Sequence, residues 1–106
     1  MTDAPVPATA SIPAELAAAR QRIDQLDGQL VELLASRFAV TRQVGQLKAE
    51  RGLPEADPAR EAKQLARIRA LAEAAGVDPD LAAAILASIV AEVVRQHHQI
   101  PRPDPA

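Results

Sequence analysis

The sequence predicts an all-α fold: three helices per chain, the N-terminal one very long, assembled as an intertwined homodimer. Three observations carry this prediction. Apolar residues recur at spacings of three and four, and no segment alternates with period two, so no strand is predicted. Proline and glycine stand where helices start and stop. The first apolar stripe is longer than a compact domain of this size can cover.

The first helix is predicted from about Pro13 to about Arg51, with Gly52 as stop and Pro54 as breaker. Counted in heptads, its seam is Leu16, Ala19, Ile23, Leu26, Leu30, Leu33, position 37, Val40, Val44 and Leu47. A helix of 39 residues is about 58 Å long. A compact monomer of 106 residues has a diameter of roughly 33 Å. Two short helices of the same chain cannot cover a stripe of that length. A second copy, in an intertwined homodimer, is the simplest cover.

The second helix opens in "EADPAREAKQLARIRALAEAAG". Asp57 reads as its N-cap and Pro58 as its first residue, where a missing N–H costs nothing. Leu65, Ile68, Leu71 and Ala75 keep the period, and Gly76 is the expected stop. The third repeats the device: Asp78 caps, Pro79 starts, and Leu81, Ile85, Ile89 and Val93 form a stripe running to about Gln99. Residues 1–12 are rich in Pro, Ala and Thr, and residues 100–106 carry three prolines. Both are expected to be mobile tails around one helical domain, 13–99.

Composition narrows the function. The chain is 48% hydrophobic and 25% charged, within the globular range. It has one Phe and no Tyr or Trp, so its core must be aliphatic. No cysteine means no disulfide frame and no thiolate chemistry. Twelve Lys and Arg against 14 Asp and Glu give a net charge of −2, which argues against a nucleic-acid partner, as does the lack of stacking aromatics. The N-terminus reads as no signal peptide, and no apolar run reaches the roughly 18 residues a bilayer span needs. The cytoplasm is the expected location.

The break in the first seam is Arg37, in "SRFAVTRQVGQLK". Arg37 and Lys48 are 11 residues apart, so they return to within about 20° of one face, about 16 Å apart along the axis. Together they could grip one small anion. Arg20 lies 17 residues before Arg37, about 25 Å away and rotated by roughly 100°. It can serve the same ligand only from an antiparallel partner helix. The competing reading of Arg37 is a snorkelling side chain, and for Lys48 and Arg20 it is a solvated helix face. A buried, unpaired guanidinium would cost several kcal/mol. Arg37 therefore needs an anion nearby, either a carboxylate such as Glu32 or Glu61 or a ligand.

"ADPARE" adds Asp57, Arg60 and Glu61. Capping explains Asp57. Arg60 in a first turn opposes the helix dipole, a local conflict of the kind functional sites show. His97 follows Val90 and Val93 on one face of the third helix, at the edge of the core, where a structural histidine is the ordinary reading. Adjacent His97 and His98 point about 100° apart and make no metal site.

Taken in order, "R-x-x-I-D-x-L-D", "LL-x-x-R", "V-G-x-x-K" and "D-x-x-R-E" resemble the AroQ class of chorismate mutases, over about Glu15 to Gln99. The resemblance implies an all-helical intertwined dimer with two sites, each taking an Arg from the other subunit. It implies rearrangement of chorismate, a dicarboxylate, to prephenate, without metal or cofactor, in aromatic amino acid biosynthesis. On it, Arg20 of the partner, Arg37 and Arg60 hold the carboxylates. Lys48 donates to the ether oxygen and a neighbouring carboxylate. Glu61, with the backbone near Asp57, holds the ring hydroxyl. The third helix departs from the pattern: the expected Ser falls on Val93, and the expected Gln or Glu on His97. Val93 cannot replace the lost hydrogen bond, whereas His97 offers an N–H to the ether oxygen in either protonation state.

Related chemistries on the same fold are an isochorismate–pyruvate lyase and a mutase of 4-amino-4-deoxychorismate, with Glu61 favouring a ring hydroxyl. A non-enzymatic helical dimer would explain the stripe but not Arg37 in it. The chain ends near the helical core, so a monofunctional mutase without a fused domain is expected.

Overall fold

The computed structural model describes residues 12–103. Three helices follow one another: α1 (Ala14–Glu50), α2 (Pro58–Ala75) and α3 (Pro79–His98). Among the described residues there is no strand. The chain divides into two compact units, Met1–Arg37 and Phe38–Ala106. The first, as far as it is described, holds the opening of α1. The second holds the remainder of α1 with α2 and α3.

Local signals set the helix ends. Gly52 has φ 65°, and the Leu53 and Gly52 amides return to the carbonyls of Lys48 and Ala49 at 2.8 and 3.4 Å. This is a Schellman stop, which satisfies carbonyls the helix end leaves orphaned. Asp57 caps α2, its carboxylate accepting from the Arg60 amide at 3.1 Å. Gly76, φ 75°, closes α2 with the same motif: Val77 N donates to Ala72 O at 2.8 Å. Asp78 caps α3 by accepting from the Asp80 amide at 2.9 Å. Each expected boundary lies within a residue or so of the observed one.

Within the second unit, α2 packs on α3. Arg69 of α2 donates to Asp80 of α3 at 2.9 Å. Only two apolar side chains among the described residues are buried, Ala49 and Ala72. The large apolar residues of the α1 seam, Leu16 through Leu47, remain 40–68% exposed. Burial is what makes a helix of this kind stable in water. The described chain therefore leaves its main apolar face unpaid by its own packing.

Beyond α3, residues 99–103 are described. Ile100 is half-buried, and Arg102 bonds the backbone of the α1–α2 loop. Of the N-terminal tail, residues 1–11 lie outside the described residues, as do 104–106. No helix among the described residues is long and apolar enough to cross a membrane.

Candidate functional site

Arg37, at the end of the first unit, is half-buried. Its Nη1 is buried and has no hydrogen-bond partner among the described residues. Neither carboxylate expected as its mate, Glu32 or Glu61, bonds that nitrogen. A snorkelling side chain would put both terminal nitrogens in water, so this arginine is not simply snorkelling. Arg20 is exposed on the same unit.

The second unit carries the other candidates. Lys48 is half-buried near the end of α1, and its Nζ donates to the Glu55 carbonyl at 3.1 Å. An ammonium has three N–H groups, so two remain for other acceptors. Asp57 spends its carboxylate on the cap. Arg60 and Glu61 stand exposed in the first turn of α2. Val93 is half-buried on α3.

His97 is more engaged than its spacing suggests. Its Nε2 lies 2.8 Å from the Thr41 carbonyl of α1. A carbonyl only accepts, so Nε2 carries the proton in this contact. The neutral ring then has an acceptor at Nδ1, and only the imidazolium has a second N–H to offer. The expectation that either protonation state serves as donor narrows accordingly. The approach is possible because residue 45 is glycine. A Cβ built there would lie 2.6 Å from His97 Cδ2, 2.8 Å from its Nε2 and 2.7 Å from Ile100 Cδ1.

Thr41, Gly45, Glu55, His98 and Arg102 have places here that residue type alone did not single out. Only the Gly of "V-G-x-x-K" carried a signal, since glycine inside a helix commonly marks a close approach. On α3, Arg95 forms an exposed ion pair with Glu92, which Gln96 also bonds at 3.1 Å. These hydrogen bonds, Arg95 first and Gln96 second, hold the Glu92 carboxyl below its ordinary range.

A helical protein with a half-buried arginine, whose Nη1 has no partner among the described residues, is the class that fold and side chains define. The family follows from comparison. A family model described as chorismate mutase type II matches residues 19–98, and the chain belongs to that family, a family of isomerases. It is similar to the T-protein of Enterobacter agglomerans, 46% identical over 79 residues, covering 74% of this chain and 21% of the relative. The T-protein of Haemophilus influenzae is 38% identical over 80 residues, covering 76% of this chain and 21% of that protein. The chorismate mutase of Methanocaldococcus jannaschii is 34% identical over 67 residues, covering 63% of this chain and 68% of the relative. The chain thus spans about a fifth of the length of the two T-proteins.

Proposed function

We propose that this protein is a chorismate mutase, converting chorismate to prephenate on the route to phenylalanine and tyrosine, and that it acts as a homodimer. The observation that carries the reading is the buried Nη1 of Arg37, unpartnered among the described residues, in a chain of the chorismate mutase type II family. A substrate carboxylate is the partner that such a nitrogen favours, by a charge-assisted hydrogen bond.

The reaction is intramolecular. The ether C–O bond breaks as a C–C bond forms, and no proton or electron is exchanged with the protein. What the protein must supply is a folded substrate and stabilisation of the charge growing on the ether oxygen. Arg37, Arg60 and Arg20 of a second copy take the carboxylates. Lys48 donates to the ether oxygen, and Glu61 with the backbone near Asp57 takes the ring hydroxyl. His97 adds a donor through Nδ1 when the ring is doubly protonated, and Val93 lines the pocket beside it. The second copy is supported by the exposed α1 seam.

The test is turnover by the purified protein of chorismate, isochorismate and 4-amino-4-deoxychorismate, followed by product analysis. Prephenate from chorismate is the expected result. Salicylate plus pyruvate from isochorismate would reassign the chemistry, and no turnover of any of the three would overturn the reading.

A further inference from the structure

The loop between α1 and α2 is held from the far end of the chain. Arg102 donates through Nη2 to the Leu53 carbonyl, and its Nη1 lies 3.8 Å from Glu55 Oε1. His98 Nε2 lies 3.5 Å from the other carboxylate oxygen, Oε2. The backbone of the same Glu55 accepts the Lys48 ammonium at 3.1 Å. One residue thus has its carboxylate between two C-terminal groups and its carbonyl on Lys48.

We propose that Glu55, His98 and Arg102 form a clasp that positions the Lys48 ammonium, making Glu55 and Arg102 positioning residues for the reaction. The inference rests on the mutase reading, in which Lys48 meets the substrate. A lysine is a point charge on a flexible four-carbon stem, so by itself it does not hold one direction. Bonding one of its three N–H groups to a fixed carbonyl aims the other two. The reading requires two acceptors there, the ether oxygen and a neighbouring carboxylate. The Glu55 carbonyl is fixed only as well as its loop. The Gly52 stop fixes one end of that loop and the Asp57 cap fixes the other. The clasp fixes the middle.

Magnitudes separate ordering from stabilising. Glu55 and Arg102 are each about one-third exposed, and His98 is more so. Exposed ion pairs add little to global stability. Misplacing a catalytic group by about 1 Å can nonetheless cost up to ~100-fold in rate. The clasp is therefore expected to show in kcat rather than in Tm.

The experiment compares the full chain with Arg102→Ala, Arg102→Lys and Glu55→Gln. Arg102→Ala is expected to lower kcat by about tenfold or more, with a smaller change in KM. Its Tm should stay within about 3 °C of wild type. Arg102→Lys, which keeps the charge beside Glu55, should recover part of the loss, and Glu55→Gln should resemble Arg102→Ala. Backbone ¹⁵N order parameters of Glu55 and Ala56 should fall from near ~0.85 toward ~0.6 in Arg102→Ala. Unchanged order parameters would overturn the clasp. A loosened loop with unchanged kcat would overturn its role in positioning Lys48. Should the wild type turn over none of the three substrates, the Lys48 role falls with the mutase reading, and the order parameters decide the clasp by themselves.

Discussion

His97 lies directly on Gly45, its ring bonded to the Thr41 carbonyl one helical turn earlier. The contact makes α3 and the end of α1 one joint. An added Cβ would meet the ring at 2.6 Å and Ile100 at 2.7 Å. The ring cannot retreat without losing Thr41.

Gly45→Ala is therefore expected to destabilise, although alanine favours a helix interior. Overpacking costs typically ~1–3 kcal/mol, against about 0.5–1 kcal/mol gained in helix propensity. Denaturant unfolding should show the loss. His97→Ala should relieve most of it in the double variant, because it removes two of the three closest atoms. Additive losses would show that the two positions are not coupled.

His97 also has a testable part in the chemistry. With Nε2–H on Thr41, only the imidazolium has a second N–H. If Nδ1–H meets the ether oxygen, His97→Gln, which keeps an N–H donor, should retain more of kcat/KM than His97→Ala. Removing a preorganised donor costs about 2.7–4 kcal/mol, so His97→Ala within a few-fold of wild type would leave His97 only its joint with Thr41 and Gly45.

Arg37 should trade stability for binding. Arg37→Met replaces a partly desolvated cation with an apolar chain of similar reach. Its Tm without ligand should be at least that of wild type, while kcat/KM falls by about 100-fold or more. A small dicarboxylate such as malonate, in the absence of substrate, should raise the wild-type Tm but not that of the variant. Saturation to about 100 times Kd corresponds to roughly 2.7 kcal/mol.

The exposed α1 seam should be an interface between copies. Leu30→Asp and Leu33→Asp should lower the sedimenting mass and make the helix signal weaken on dilution. If Arg20 acts across that interface, two inactive variants, Arg20→Ala and Lys48→Ala, should complement when mixed and refolded. Random pairing of two-site dimers returns about a quarter of wild-type activity. Recovery of none would place Arg20 outside the partner's site.

Glu92 gives a pH effect of known sign. Its folded carboxyl is held below the ordinary range by Arg95, then Gln96. The pair's stabilisation is therefore present above the unfolded carboxylate's titration and lost as pH falls through the folded one. Glu92→Gln should lose a little stability at neutral pH and converge with wild type in acid. The pair is exposed, so the difference should be small and should shrink with added salt.

The helix bounds were legible because their causes are local. Asp57–Pro58 and Asp78–Pro79 act within one turn, and Gly52 and Gly76 adopt positive φ wherever a helix must stop. Arg37 was legible as an exception because a period makes its violations visible. The Glu55 clasp and the His97–Thr41 bond were not. They join residues 56 apart in one case and up to 49 apart in the other, and no spacing rule connects such positions.

By itself, then, the sequence determined three helices, their caps and stops, and a cation set in a particular order, because capping, φ preference and hydrophobic period are properties of neighbouring residues. Tertiary structure decided which hydrogen-bond groups remain for chemistry. It committed Nε2 of His97 to Thr41, one N–H of Lys48 to Glu55 and the Asp57 carboxylate to its cap, and left Nη1 of Arg37 without a partner among the described residues. A side chain's donors are assigned only when distant backbone arrives beside them, and that assignment is made by packing.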